Sequence, residues 1–308
     1  LMVVNMKSLT VFTPAYNRAH TLQRLHDSLV CQSCQDFEWL IVDDGSRDNT
    51  QKLIHALCAI SPIEIRYFYQ NNAGQHVAMN RGIEEAHSEL FFMVDSDDYL
   101  PNDAIGYILE RWQEIRNDPT FCGIVGNRCF ENGETVGMQN PYNEIVSDFL
   151  SYRSELGIQG DRAEVIRTNI IKQYLYPVFP KEKSLPIAVI FNRIAQNYKA
   201  LYINKCFYIA DYAPDGMGAY WTRDRIQNPQ GTALYYSEII NFSSSIRYKI
   251  RMALNYWRYS PYYPISLRAK FRHVGKWASC CWLPGMLLSI KDRICMNRPI
   301  SQPTMKHK

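Results

Sequence analysis

The 308-residue sequence lacks three features that would each define a class of protein. No apolar run reaches the roughly 18–20 residues that a membrane-spanning helix needs. No Gly-x-Gly-x-x-Gly follows the first predicted strand and no Gly-x-x-x-x-Gly-Lys-Ser/Thr occurs, which disfavours a dinucleotide-binding fold and a P-loop. The nine cysteines are scattered and odd in number, and without a secretion signal they indicate free thiols in a reducing compartment.

Acidic residues are almost absent from the C-terminal part of the chain. From Ser245 onward, 13 Lys and Arg residues accompany one acid, Asp292, which gives a formal charge of +12. Since the whole chain carries +4, residues 1–244 carry −8. An acidic body with a basic tail predicts that an anionic surface is the partner of the tail and not of the body.

The basic tail also contains regularly placed apolar side chains. Its cations and apolar residues interleave at Arg247, Arg251, Met252, Leu254, Trp257 and Arg258. Cationic amphipathic helices edged by Trp lie in membrane interfaces. We therefore predict that residues 245–308 form a basic amphipathic helical tail on an anionic membrane surface. Within it, residues 277–290, interrupted by Pro284-Gly285, dip into the bilayer without crossing it.

Two other interpretations of the tail are available. The first is a C-terminal helical pair that packs on the preceding domain, with its charges merely solvated. The second is a nucleic-acid interface, which is disfavoured because no recognised nucleic-acid module is present. A comparison of vesicle binding with and without residues 245–308 distinguishes the membrane interpretation from the first.

Apolar segments of strand length alternate with segments of helical periodicity in the first part of the chain. The strand-like segments cover residues 9–12, 37–42, 63–69 and 90–94. This alternation predicts an α/β fold with a mostly parallel central sheet and helices on both faces. In such sheets, ligands bind at the carboxyl ends of the strands.

The predicted strand at residues 90–94 ends in three carboxylates, Asp95, Asp97 and Asp98. Crowded acids repel one another unless a cation lies among them. Mg²⁺ or Mn²⁺ fits, because it binds one or two carboxylates together with phosphate oxygens. The alternative is that Asp97 and Asp98 turn the chain and cap the next helix. Polar residues at two other strand ends, Thr13 and the Asp43-Asp44 pair, favour the binding site.

Four motifs together resemble family 2 glycosyltransferases. They are Thr-Pro-Ala-Tyr-Asn-Arg at 13–18, Val-Asp-Asp-Gly-Ser-Arg-Asp-Asn-Thr at 42–50, Asn-Arg-Gly-Ile at 80–83 and Asp-Ser-Asp-Asp at 95–98. A weaker similarity at 160–165 and 212–216 resembles bacterial members that make surface polysaccharides. The resemblance implies a GT-A fold over residues 1–244, with inversion of the anomeric centre. It also implies a nucleotide-sugar half at 8–105 and an acceptor half at 106–244, with the tail as a C-terminal helical extension.

The resemblance also implies roles for individual residues. Those that would bind the nucleotide-sugar are Thr13, Ala15, Asn17, Asp43, Asn80, Asp95 and Ser96. Asp43 would accept a hydrogen bond from the N–H of a uracil-type base, and Asp97 would hold the Mg²⁺ or Mn²⁺ ion. The alternatives are that Asp43 closes a turn with Gly45 and that Asn80 is a surface residue of a helix.

The general base is the point at which the sequence departs from the family pattern. The resemblance places an acid near the start of a helix, at a position that Ile187 occupies here, and Ile187 cannot take a proton. The substitutes are Asp161, Glu164 and Glu182. The alternatives for Asp161 are an ion pair with Arg162 or Arg167 and a contact with the acceptor, and the alternative for Glu182 is an exposed loop.

These features predict an enzyme rather than a binding module. It would transfer a sugar from a nucleotide-sugar, a UDP-sugar, to a lipid-linked or growing glycan, as a cytoplasmic protein peripheral on the inner face of the plasma membrane. A cation would neutralise the departing diphosphate, and a base would take the acceptor's proton. The alternatives are a non-catalytic relative that binds nucleotide-sugar or glycan, and a metal-dependent sugar nucleotidyltransferase.

Overall fold

The computed structural model describes residues 6–211 and 221–296, with only the backbone described for the last two. The chain divides into two compact units, Leu1–Ala219 and Tyr220–Lys308. The predicted division lies later, after residue 244. The weak similarity at 212–216 and the last residues of the predicted tail lie outside the described residues.

The first unit is built on an eight-stranded mixed sheet. Its strands are β1 (Leu9–Ala15), β2 (Phe37–Asp43), β3 (Glu64–Tyr69), β4 (Leu90–Met93), β5 (Phe121–Cys129), β6 (Glu144–Ser147), β7 (Arg162–Arg167) and β8 (Lys199–Ile209). Their order is β3-β2-β1-β4-β7-β5-β8-β6. Strands β1 to β4 pair in parallel, β7 is antiparallel to both β4 and β5, β8 is parallel to β5, and β6 is antiparallel to β8.

Helices cover both faces of this sheet. They are α1 (Leu22–Val30), α2 (Thr50–Ile60), α3 (Gln75–Glu85), α4 (Ala104–Ile115), α5 (Phe149–Ser154), α6 (Thr168–Ile171) and α7 (Ala188–Ile194). Apolar residues of α1, α2 and α4 share a core with Leu9 and Val11 on one face. On the other face α3 approaches so closely that a Cβ at Gly82 would lie 2.1 Å from the Phe12 ring. The predicted α/β sheet with helices on both faces is confirmed.

The start of α2 departs from the capping box that the spacing of Asp48 and Gln51 would suggest, because α2 begins at Thr50 and its N-cap residue is Asn49. The Asp48 carboxylate instead accepts the backbone N–H of Thr50 at 3.0 Å and that of Ala19 at 3.2 Å. Asp48 therefore ties the loop after β1 to the start of α2.

One edge of the sheet collects the carboxyl ends of six strands, β1 to β5 and β8, and we call it the carboxyl edge. Ala15, Asp43 and Tyr69 are in register at the ends of β1, β2 and β3. Beyond β4, the N–H of Val94 donates to Phe12 O at 2.8 Å, which brings the next residue, Asp95, to the same edge. Because β7 opposes both β4 and β5, it begins at this edge and β5 ends there.

The second unit is helical. It contains α8 (Trp221–Gln227), α9 (Pro229–Phe242), α10 (Ile246–Tyr259), α11 (Leu267–Ala278) and α12 (Trp282–Met296). The buried Trp257 indole donates to Ala278 O at 2.9 Å, which joins α10 to α11. The predicted C-terminal helical extension is confirmed.

The interruption expected at Pro284-Gly285 is wrong. Both residues lie in the first turn of α12, where the missing N–H of proline leaves no intrahelical bond unmade. The break lies earlier, at Gly275 in α11, whose φ of +79° belongs to the left-handed region that glycine favours. None of the described helices is long and apolar enough to cross a membrane.

Candidate active site

Asp95 follows β4 and is held by two side chains from the other half of the sheet. One of its carboxylate oxygens lies 3.0 Å from Nη1 of Arg128 and 3.0 Å from the hydroxyl of Tyr208. Its backbone N–H donates to the same hydroxyl at 2.9 Å. Asp95 therefore has a fixed orientation and an adjacent positive charge.

Arg128, on β5, connects this aspartate to the start of β7. Its Nε donates to Arg162 O at 2.9 Å, and its guanidinium lies 4.1 Å from the centre of the Tyr208 ring. Burial by itself lowers the pKa of Arg128, but its neighbours, above all Tyr208 and Asp95, raise that pKa well above its ordinary value. Arg128 is therefore a permanent cation beneath the acidic cluster.

Asp98 is the most buried of the three acids, at 7 % exposed. It accepts hydrogen bonds from the Tyr208 hydroxyl at 2.6 Å and from the N–H of Asp211 at 2.7 Å. Burial, with the nearby charge of Asp95, raises the pKa of Asp98 to about 6, although both hydrogen bonds oppose the rise. Asp98 therefore titrates close to neutral pH.

Asp97 is the most accessible carboxylate of the cluster, with 41 % of its side chain exposed. A guanidinium nitrogen of Arg18 lies 3.5 Å away, and Arg24 donates to the backbone carbonyl of Asp97. Within the described ranges, no three His, Cys, Asp or Glu side chains converge to hold a metal ion. A cation here would have Asp97 and oxygen atoms of a bound ligand as its partners, which is the coordination that Mg²⁺ prefers.

Asp43 ends β2 and is completely buried. Its carboxylate accepts the N–H of Ser46 at 2.8 Å and the hydroxyl of Tyr67 at 3.0 Å. Asn17, with φ of +56°, donates its N–H to the Ser46 hydroxyl at 2.8 Å and accepts the N–H of Arg47 at 2.8 Å. Ser46 thus links Asp43 and Asn17, and the loops after β1 and β2 form one wall.

The remaining predicted donor residues differ in exposure. Thr13 is buried and accepts the Trp39 indole N–H at 3.0 Å, and Ala15 is buried at the end of β1. Ser96 is buried beside Asp95. The side chain of Thr13 therefore serves the core, and any contact it makes with a donor would come from its backbone.

Asn80 lies on α3 and bonds to another segment of the chain. Its amide donates to the carbonyl of Tyr176 at 2.8 Å and accepts the N–H of Tyr176 at 2.8 Å. This two-point contact joins α3 to the segment that leads into α7. Its role in donor binding stays a prediction.

The candidate bases occupy different environments. Asp161 is exposed at the carboxyl edge, directly before β7. Glu164, inside β7, has a side chain only 11 % exposed and lies 3.9 Å from Arg153. Burial raises the pKa of Glu164, with Arg128 and Arg153 opposing the rise. Glu182, for which an exposed loop is the alternative, is 6 % exposed, and Ile187 immediately precedes α7.

A cavity of about 550 Å³ opens beside the acidic cluster. Its polar lining comes from Arg24, Tyr99, Glu131, Asn132, Glu134 and Asp211. Arg24 connects the cavity to the cluster, because it bonds Asp211 at 2.6 Å and also the backbone of Asp97. The segment after β5 and the two residues that directly follow β8, Ala210 and Asp211, therefore border the site.

The structure gathers Ala15, Asp43, Asp95, Asp97 and Asp161 at the carboxyl edge. Sequence reasoning missed Arg128 and Tyr208, which hold the acids in place. Both lie within strands more than thirty residues from the cluster they serve, and a single cation or phenol in a strand is no signal of a site. A charge balance would have found the need for a cation, because three acids at one strand end require one.

Comparison with known proteins gives a consistent result. The sequence profile of the family described as "Glycosyl transferase family 2" matches residues 10–173. The chain is 33 % identical over 135 residues to chondroitin synthase of Pasteurella multocida, a match that covers 44 % of this chain and 14 % of that protein. The chain therefore corresponds to a small part of that relative.

Solved structures share the fold at low sequence identity. S. aureus TarS 1-349 in complex with UDP-GlcNAc superposes with a TM-score of 0.63 at 19 % identity, covering 90 % of this chain and 79 % of that one. Mannosyltransferase PcManGT from Pyrobaculum calidifontis, in complex with GDP-Man and Mn²⁺, gives 0.58 at 15 % identity, covering 96 % and 89 %. The predicted GT-A fold is confirmed.

Proposed function

The chain belongs to glycosyl transferase family 2, and we propose that it transfers a sugar from a UDP-sugar to a hydroxyl of a lipid-linked or growing glycan, with inversion. One observation carries the proposal. Asp43 and the cluster of Asp95, Asp97 and Asp98 follow parallel strands that end at one edge of the sheet. A nucleotide and its diphosphate would span that edge, as ligands of open α/β sheets do.

The donor would be held by the wall that Asn17 and Asp43 form. The carboxylate of Asp43 already accepts two hydrogen bonds, and its remaining lone pairs suit the N–H of a uracil-type base. Asp95, fixed by Arg128 and Tyr208, would accept from the ribose hydroxyls. The UDP-GlcNAc complex of TarS supports a UDP-sugar as the first donor to test.

Asp97 would hold a Mg²⁺ or Mn²⁺ ion. Its exposure and single carboxylate fit a cation that takes its other ligands from a diphosphate. The ion would neutralise the charge that develops on the departing nucleoside diphosphate. Arg18, 3.5 Å from Asp97, would add positive charge at the same place.

The acceptor would enter the cavity beside Asp211. Carboxylates such as Glu131, Glu134 and Asp211 accept hydrogen bonds, and sugar hydroxyls donate them. We assign the general base to Asp161, because it is exposed at the same edge as Asp97. Glu164 has a raised pKa, but its side chain lies mostly inside the protein.

A lipid-linked acceptor would be located at a membrane surface, and the charge of the chain agrees with an enzyme that binds there. We propose that residues 245–308 hold the enzyme on the inner face of the plasma membrane, as a cytoplasmic peripheral protein. The charge of +12 in this segment against −8 in the rest would orient the chain with its tail toward anionic lipid.

A screen of nucleotide-sugars tests the donor and metal assignments together. UDP-sugars with Mn²⁺ should raise the melting temperature more than UDP-sugars with a chelator, because binding to the folded state alone stabilises it. GDP-sugars should raise it less. Equal shifts for both nucleotides, or no shift with any of them, would contradict the proposal.

A second function is favoured by Ile187, which stands where the resemblance expects an acid. A relative without a working base would bind UDP-sugar but release no UDP with any acceptor. The Ile187→Glu variant separates the two cases. If the chain is a non-catalytic binder, this variant should gain UDP release. If Asp161 is the base, the wild type should already turn over and Ile187→Glu should add little.

A further inference from the structure

Helix α12 exposes a continuous apolar stripe to its surroundings. The stripe consists of Leu283, Leu287, Ile290 and Ile294, which are 64 %, 67 %, 51 % and 54 % exposed. The spacing of four, three and four residues places all of them along one face of the helix. Four large apolar side chains in a row form a patch rather than the scattered exposure that soluble surfaces tolerate.

The opposite face of α12 is the one that packs, and it is small and polar. A Cβ at Gly285 would lie 2.4 Å from Cβ of Trp257, so α12 approaches α10 closely at this point. Ser289 is 1 % exposed, and Asp292 is bound to Arg258 through two hydrogen bonds of 2.5 and 2.8 Å. The usual orientation of an amphipathic helix in a soluble protein is therefore reversed.

The ion pair fixes this orientation. The Asp292 side chain is 14 % exposed, and breaking a buried pair leaves an uncompensated charge. Rotating α12 to hide its stripe would separate Asp292 from Arg258 and lift Gly285 from Trp257. The packing of the second unit therefore determines that the stripe faces outward.

Cations flank the stripe on both sides. At about 100° per residue, Lys291 lies about 70° to one side of the stripe and Arg293 about 90° to the other, and both are exposed. Residues 221–296 contain 12 Lys and Arg residues against three acids. A second copy of the unit would bring the same positive charge, and like charges oppose association. An anionic bilayer offers an apolar interior for the stripe and negative charge for the cations that flank it.

We propose that α12 lies in the plane of an anionic membrane, with its Leu283–Leu287–Ile290–Ile294 stripe inserted among the acyl chains. Its 15 residues extend about 22 Å, too short to span a bilayer but sufficient for one interfacial helix. Lys291 and Arg293 contact the lipid phosphates. This inference deepens the proposed membrane location, which rests on overall charge, by naming the surface that inserts.

Flotation of the full chain with lipid vesicles tests the surface. Vesicles of phosphatidylcholine containing about one third phosphatidylglycerol supply the anionic charge, and vesicles of phosphatidylcholine alone are the comparison. The Leu283→Ser/Leu287→Ser variant should bind the anionic vesicles about tenfold more weakly or worse, because two apolar side chains lose their lipid contacts. The Lys291→Glu/Arg293→Glu variant should lose binding to the anionic vesicles as well.

A matched control removes equally exposed apolar side chains from the first unit. Ile60 is 78 % and Val178 is 60 % exposed, and Ile60→Ser/Val178→Ser should float like the wild type. Equal flotation of the stripe variant and this control would overturn the proposal, as would failure of the folded wild type to float. A stripe variant that changes only the oligomeric state would assign the stripe to a second copy instead.

The proposed binding of UDP-sugar can be tested independently of the proposed membrane surface. Thermal shift with UDP-sugar in vesicle-free solution should be the same for the stripe variant and the wild type. Loss of flotation with an unchanged UDP-sugar shift supports the membrane surface. Flotation without any UDP-sugar response leaves the membrane surface standing and contradicts the proposed donor.

Discussion

The hydroxyl of Tyr208 lies 2.6 Å from a carboxylate oxygen of Asp98. The same hydroxyl lies 3.0 Å from Asp95, so one phenol at the end of β8 joins two acids that follow β4. A hydroxyl carries a single proton, and it can donate to only one carboxylate at a time. Arg128 balances part of the negative charge, and Asp98, whose pKa burial raises to about 6, takes up a proton as the pH falls below that value.

Removing this hydroxyl should destabilise the cluster. We predict that Tyr208→Phe lowers the free energy of unfolding at pH 7 by about 1–3 kcal/mol, because buried acceptors lose their donor. The loss should be smaller at pH 5, where Asp98 is mostly protonated and the substitution leaves no charged Asp98 carboxylate without its donor. Urea unfolding at both values measures it. Tyr142→Phe, on an exposed phenol, is the control, and an equal loss at the two pH values would contradict this account.

Asp98 should make stability depend on pH. Burial raises its pKa from 3.8 to about 6, so the folded state binds the proton more tightly than the unfolded state does. The stabilisation from this proton is complete below about pH 4 and disappears as the pH rises through 6. Relative to Asp98→Asn, the wild type should therefore lose about 2 kcal/mol of unfolding free energy between pH 4 and pH 7. A constant difference between the two proteins would refute the prediction.

Asp97 should control the metal dependence. We predict that Asp97→Asn lowers the Mn²⁺-dependent part of UDP-sugar affinity by more than about tenfold, or 1.4 kcal/mol, with unfolding in the absence of ligand unchanged. Calorimetric titration with and without Mn²⁺ measures both parts. Asp118→Asn is the matched control, since this exposed carboxylate lies near the start of β5, at the opposite edge of the sheet. Equal effects of the two substitutions would show that Asp97 does not bind the metal ion.

Substitutions of the two candidate bases should have different effects on the turnover number, kcat. Asp161→Asn should lower kcat by about 100-fold or more, because a general base contributes that much, while the Kd for UDP-sugar stays unchanged. Glu164→Gln should lower kcat less and should change stability instead, since its side chain is mostly buried beside Arg153. The assignment is reversed if Glu164→Gln loses kcat while Asp161→Asn keeps it.

We expect the main role of Asn80 to be in stability and not in donor binding. Asn80→Ala removes both hydrogen bonds to the backbone of Tyr176, and we expect a loss of about 1–3 kcal/mol in unfolding free energy. UDP affinity, measured below the unfolding transition, should change by less than about threefold. A large loss of affinity with unchanged stability would instead support the donor-binding role implied by the family resemblance.

The part of the sheet formed by β1 to β4 could be predicted well from the sequence. Apolar runs ending in Thr13, Asp43 and Asp95 were sufficient, because parallel strands place their carboxyl ends at one edge and local patterns determine each strand. The pairing of β7 between β4 and β5 could not be predicted, since it joins residues 90–92 to 165–167 without a local signal. Arg128 and Tyr208 were missed for the same reason.

In the second unit, the sequence pattern did not show which faces of the helices are buried and which are exposed. Sequence reasoning identified Arg247, Arg251 and Trp257 as an interfacial pattern, yet Trp257 is completely buried. The exposed stripe lies on α12, and three of its residues, Leu283, Leu287 and Ile290, belong to the segment 277–290 that was expected to enter the bilayer. A helix with apolar residues on one face gives the same periodicity whether that face points inward or outward. Only the contacts of Gly285 and Asp292 decide which way the face points.

The reversed direction of β7 has a consequence for the segment that follows β5. Because β7 opposes both of its neighbours, the strands on either side of it deliver their outgoing connections to a common rim. The segment 130–143, between β5 and β6, can then lengthen or shorten without disturbing the register of β1, β2 and β4. Changes confined to this segment should therefore reshape the proposed acceptor cavity while Asp43 and Asp95 keep their places.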